Sequence, residues 1–245
     1  HARLVVELAN AAAPGARVAA RVHAVDHAHF QADMDIIAGG AAGKLCHIMI
    51  PKVESVDDVI FAEKALQRAT DKRVPIHVLS ESPAAVQQAF EIAAHPAVQS
   101  ISFGLMDFVS AHGGAIPASA MTAQGQFEHP LVVRAKLEIA AACHAHGKVP
   151  SHCVVTEFKN PEALEACAQK ASRELGYTRM WSIHPDQIRP ILRAFSPAED
   201  EVKQAAQILT AAAVQNWAPI SFGGVLHDRA SYRYFWQLLE RAHQT

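Results

Sequence analysis

Two acids stand at matching places in this chain. Glu81 ends the apolar run "VPIHVLSE", and Asp107 closes "QSISFGLMD", in which a buried-type strand passes through a glycine and stops at a carboxylate. Placed at the C-terminal ends of neighbouring parallel strands, two such groups would converge on one rim of a sheet. A pair of carboxylates completed by water and ligand oxygens suits Mg²⁺, which seldom takes an all-protein cage. Chelated by an α-keto acid or an enolate, the ion would act as a Lewis acid where negative charge develops. The plainer alternative stays open on spacing alone: Asp107 would cap the next helix and Glu81 would be solvated.

The elements that must position these acids are legible as an alternation. Runs rich in β-branched residues at 17–25, 45–53, 73–81, 98–104, 149–155 and 178–185 are separated by Ala-rich segments of helical period. Such alternation predicts a parallel sheet. Ser55 before "VDDVIFAEKALQRA", Pro83 opening "PAAVQQAFEIAA" and Asn160-Pro161 before "EALEACAQKASREL" mark helix starts, and Gly176 marks a stop. Six strands are two short of a closed (β/α)8 barrel, which typically takes about 250 residues. Because "HARLVVELANAAA" begins inside a helical pattern, the expectation is that two strand–helix units precede residue 1. The barrel domain is placed at 1–214 and a C-terminal helical extension at 215–245.

Composition narrows the chemistry further. With 245 residues, half of them hydrophobic, and a formal charge of −2, the chain has no general pull toward nucleic acid or an anionic membrane. Four cysteines, Cys46, Cys143, Cys153 and Cys167, form no C-x-x-C pair, and free thiols in apolar settings fit a reducing cytoplasm. No apolar run approaches the roughly 20 residues of a membrane-spanning helix. A small molecule is the expected partner.

At this point the motifs acquire a name. "ARVHAVD", "IPKVES", "VLSES", "SFGLMDF" and "SIHPDQI" occur in that order, and together they resemble the V-R-V-N, L-P-K-V-E-S, L-I-E-T, F-G-x-x-D-[LF] and I-H-P-x-Q segments of the HpcH/HpaI aldolase and citrate-lyase beta-subunit family. The resemblance runs from about residue 2 to the C-terminus. It implies a TIM (β/α)8 barrel, two of whose strands come before this chain begins.

The resemblance also assigns roles. Glu81 and Asp107 match the family's Mg²⁺ ligands. Arg21 matches the arginine that contacts the substrate's carbonyl or carboxylate, a task suited to a fixed, always-charged fork. Lys52, in "PKVES", lines the rim or pairs with a neighbouring acid such as Glu54. "FGGVLHDRASYRYFW" resembles the family's lid; Asp228 matches an aspartate able to reach a neighbouring subunit's site as an acid/base group, and Gly223-Gly224 offers hinge freedom. The plainer reading of Asp228 is a cap on the last helix. His23 stands where the family has asparagine. His152 replaces an aspartate and, with Cys153, alters the pocket and its substrate choice. The other histidines, fifteen in all, are read mostly as surface residues or supports, with no zinc-type spacing.

The expected activity is Mg²⁺-dependent carbon–carbon cleavage of a β-hydroxyacyl-CoA such as malyl-, citramalyl- or citryl-CoA, in a homo-oligomer of three or more chains. A class II pyruvate aldolase acting on free hydroxy-keto acids and a non-catalytic barrel subunit are the alternatives.

Overall fold

Three consecutive runs, Leu45–Ile50, Ile76–Ser80 and Val98–Phe103, are buried along nearly their whole length. Strands covered on both faces read as continuous apolar runs, which is why their sequences barely alternate. They form β2, β3 and β4 of a six-stranded parallel sheet completed by β1 (Val18–Arg21), β5 (Val149–His152) and β6 (Arg179–Met180). The spatial order equals the chain order, β1 to β6, as in the wall of a β/α barrel. The structure, a computed structural model, describes residues 1–244.

Helices return the chain between strands. After α1 (Ala2–Ala11) and β1 comes an irregular helical stretch of α2 (Phe30–Asp33), a π-helical turn at Met34–Ala38 and α3 (Gly39–Ala41). The helix α4 (Val56–Ala69) begins at Ser55, whose hydroxyl accepts from Asp58 N–H while Asp58 accepts from Ser55 N–H. This reciprocal cap fixes its entry. Val59, Ala62, Ala65 and Leu66 are its buried stripe. Ser82 and Asn160 cap α5 (Pro83–Gln87) and α9 (Pro161–Arg173), each with proline in the first turn, where a missing N–H costs nothing. Completing this set are α6 (Ala89–Ala94), α7 (Leu105–Ser110) and α8 (Pro130–Ala145). Ile48, Val78, Ile101, Phe103, Phe108 and Ile139 lie in the common core.

Every strand is shorter than its sequence run. β1 stops at Arg21 because His23 N–H and His23 Nδ1 both turn to Asp33 Oδ2, at 3.0 and 2.6 Å. β5 stops at His152, and β6 keeps only two residues before Trp181 and the Pro185 turn. The residues freed at these ends form the loops of one rim.

The chain divides into two compact units, one spanning His1–Gln187 and one running from Ile188 onward. The second holds α10 (Ile188–Phe195), α11 (Glu199–Val214), a hairpin of β7 (Ile220–Phe222) and β8 (Val225–His227), and α12 (Arg229–Gln244). Ile208, Leu209 and Ala212 of α11 pack with Ile220 and Tyr232, so this unit includes residues before 215. Gly223 and Gly224, expected as a hinge, instead make the two-residue hairpin turn with φ of +59° and +80°. Positive φ at both central positions matches the right-handed strand twist, and glycine adopts it without steric cost. Among the described residues no helix is long and apolar enough to cross a membrane.

Candidate active site

The two acids of the sequence reading are brought together at one rim. Beyond the pairing of Ser80 with Phe103, Gly104 N–H donates to Ser80 O at 2.9 Å, which sets Glu81 opposite Gly104. Asp107 lies in the first turn of α7, whose N-cap is Gly104 and makes no side-chain cap bond. Asp107 is therefore not the cap that the plainer reading required. Glu81 is only 6% exposed, and a methyl group built on Gly104 would sit 2.5 Å from Glu81 Cβ and 2.7 Å from its Oε2. The glycine is needed for space: its own φ of −99° is open to any residue.

Lys52 is the third member of the cluster. Its backbone N–H donates to Glu81 Oε1 at 3.0 Å, and its ammonium lies 3.7 Å from Asp107 Oδ1. The neighbouring acid that pairs with Lys52 is Asp107 rather than Glu54. Burial first, and then the negative charge of Asp107, push the Glu81 carboxyl up to about 7, while the N–H of Lys52 pulls it down. Two carboxylates held this close with one of them buried repel each other unless a cation joins them. That donor set fits a hard divalent ion taking its remaining ligands from water and substrate. Among the described residues no group of three or more His, Cys, Asp or Glu could hold a metal, so such an ion would rest on these two carboxylates.

Arg21, at the end of β1, lines a cavity of about 290 Å³ together with His47, His77, Ser102, Arg179 and Trp181. The His47 and His77 rings stack at 3.4 Å with 9° between planes. Burial holds both imidazoles down at about 4, helped at His47 by His77 and opposed at His77 by the bond to Gln99. They are thus neutral in the physiological range, beside two guanidiniums. Sequence reasoning missed this pair by treating most histidines as surface residues; their alternation within β2 and β3 was the available signal. A larger cavity, about 710 Å³, opens by Val74, Pro75, Val98 and Val149 at the opposite, N-terminal ends of the strands.

His152 does not join the cluster. It is wholly buried at the end of β5, stacked on Phe127 and edge-on to Tyr177, and in this position offers no atom to a substrate. The expected contact gives way to a support role, because the ring is enclosed by a polar knot around Lys136. The Lys136 ammonium donates to Gln126 Oε1 at 2.8 Å and lies 4.0 Å above Phe127. Cys153 Sγ donates to the same oxygen. Burial lowers the amine's pKa, and among the described residues no carboxylate contacts it. An ammonium desolvated without a counter-ion does not stabilise a fold. Lys136→Met will therefore leave the melting temperature unchanged or raise it, since Cys153 still serves Gln126. Lys136→Ala will cost about 2 kcal/mol through the cavity left behind; a loss of that size in both variants would refute the argument.

Asp228, in the second unit, precedes α12. Its Oδ1 accepts from Ala230 N–H at 3.0 Å, and its own N–H donates to Ser231 Oγ. Capping, the plainer reading, accounts for one of its two carboxylate oxygens.

The chain is similar to known proteins over most of its length. Residues 2–185 match the family model described as HpcH/HpaI aldolase/citrate lyase. The stretch likened to a lid lies beyond that match. An L-malyl-CoA/beta-methylmalyl-CoA lyase of Rhodobacter capsulatus is 30% identical over 231 residues, covering 87% of this chain and 72% of that protein. Among solved structures, a citrate lyase of Burkholderia xenovorans LB400 is 44% identical with a TM-score of 0.88, covering 99% of this chain and 79% of that one. The fold alone is shared with a Mycobacterium tuberculosis protein solved with magnesium, acetoacetate and coenzyme A, at 23% identity and TM-score 0.75, covering 98% of this chain and 83% of that one.

Proposed function

Because this chain belongs to the HpcH/HpaI aldolase/citrate lyase family, we propose that it is a Mg²⁺-dependent lyase that cleaves a β-hydroxyacyl-CoA of the malyl- or citramalyl-CoA kind. Carbon–carbon cleavage is the family's chemistry. The observation that supports the metal is the Glu81–Lys52–Asp107 cluster at the C-terminal ends of β2, β3 and β4. Held by Glu81 and Asp107, Mg²⁺ would supply Lewis-acid polarisation of the oxygens next to the bond that breaks.

The chain's own residues supply the rest. Arg21 binds the hydroxy acid's carboxylate with its planar fork, and Lys52 faces it from the rim. The substrate's β-hydroxyl gives its proton to solvent as the C–C bonding pair moves to the α-carbon of the thioester, leaving a keto acid and an enolate. The enolate carbon then takes a proton, for which we assign Asp228 of a neighbouring copy. His152 fixes the floor through Phe127 and Tyr177 without touching substrate. We place two further strand–helix units between the edges β1 and β6 to close an eight-stranded wall, and the segment 215–245 as a lid for a neighbouring copy in a cytoplasmic homo-oligomer of at least three copies.

The test is turnover of malyl-CoA, citramalyl-CoA and free 4-hydroxy-2-keto acids with Mg²⁺ or EDTA, following acetyl-CoA and keto acid. Magnesium-dependent cleavage of a thioester is expected. Cleavage of the free acids alone would make the protein an aldolase, and silence with metal bound would make it a non-catalytic barrel.

A further inference from the structure

One residue touches both carboxylates, and it does so with a backbone that lysine rarely adopts. Lys52 has φ of +53°, in the left-handed region where a side chain crowds the following carbonyl. Such a conformation persists where surrounding contacts over-determine it. Here the contacts are the N–H to Glu81 Oε1 and the ammonium beside Asp107 Oδ1. Glu81 is nearly buried, whereas the Lys52 side chain is 64% exposed, so its four-carbon stem has room to swing away.

We propose that Lys52 is a resident counter-charge: its ammonium holds the two carboxylates together before the metal arrives, and the metal displaces it. This inference rests on the assignment of Glu81 and Asp107 as metal ligands. The N–H to Glu81 belongs to the backbone and persists when the side chain leaves, so the site keeps its shape during the exchange. Once displaced, the ammonium remains at the rim, where an incoming carboxylate can take up its charge. Lys52 is thus a positioning residue that competes with the metal.

The experiment uses Mn²⁺ as the probe, titrated into the whole protein without substrate, with free Mn²⁺ read by its EPR signal. Lys52→Met removes the charge and keeps most of the bulk; Lys52→Gly removes the charge and tolerates the left-handed backbone. Both variants are expected to bind Mn²⁺ about 3- to 10-fold more tightly, the scale of one partly solvated charge. Their melting temperatures should also rise more on metal addition than that of the wild type. Unchanged or weaker binding in both would overturn the inference and leave the metal assignment standing. A wild type that binds no Mn²⁺, or binding that survives Glu81→Gln, would overturn both.

Discussion

Glu81→Gln and Asp107→Asn will each lower magnesium-dependent turnover by about 10²- to 10³-fold, the scale on which removing one preorganised group from a developing charge is felt. The same substitutions will raise the melting temperature of the metal-free protein, because each removes one of two like charges of which one is nearly buried. Activity and stability moving in opposite directions is the mark of a site whose repulsion is fully relieved only when its ligand is bound. The pH dependence carries the same sign. Burial and Asp107 hold the Glu81 carboxyl at about 7 against an ordinary 4.5. Between these values the unfolded chain has given up a proton that the folded chain keeps, so stability from this group is present below about 4.5 and is lost as pH rises through 7. Metal reverses the loss by selecting the ionised form, so affinity will fall about tenfold per unit below pH 7, and Glu81→Gln will flatten both curves. A metal-free protein whose stability ignores pH across this range, in wild type and variant alike, would refute the placement of Glu81.

Gly104→Ala will dismantle the same site without altering a ligand. The new methyl group meets Glu81 Cβ at 2.5 Å and Oε2 at 2.7 Å, and neither strand end can retreat while Gly104 N–H is bonded to Ser80 O. Glu81 must therefore leave its position. Turnover and Mg²⁺ affinity should fall about as far as in Glu81→Gln, while stability falls by only about 1–3 kcal/mol, as in other overpacked sites. Circular dichroism and metal titration separate the two effects. Lost stability with intact metal affinity would mean that some other neighbour yields.

The sheet was legible because Leu45–Ile50, Ile76–Ser80 and Val98–Phe103 carry one message: apolar, β-rich runs that stop at Pro51, Glu81 and Gly104. The caps at Ser55, Ser82 and Asn160 were equally local, since a side-chain oxygen three residues from its N–H needs no tertiary partner. The meeting of Glu81 and Asp107 followed from strand-end logic. What escaped depended on contacts distant in sequence. Nothing in "PKVES" shows that Lys52 takes a left-handed backbone, and nothing in "SHCVV" shows that His152 lies under Phe127, 25 positions earlier in the chain. In the sequence Gly104 reads only as a glycine the run passes through before Asp107, and the space it leaves for Glu81 shows only once its neighbour across the sheet is known. Gly223-Gly224 had a readable hairpin signal between apolar pairs, but the hinge reading obscured it.

The agreement between strand order and chain order also bears on how the protein is made. Neighbours in the sheet are neighbours in the sequence from β1 to β6, so each strand emerging during synthesis finds its partner already waiting, and few long loops must close first. Lys52, Glu81, Gly104 and Asp107 all lie between residues 45 and 110, on three successive strand–helix units. The framework of the site can therefore form while the last third of the chain is still being translated, leaving Arg179 to be added to a scaffold already in place.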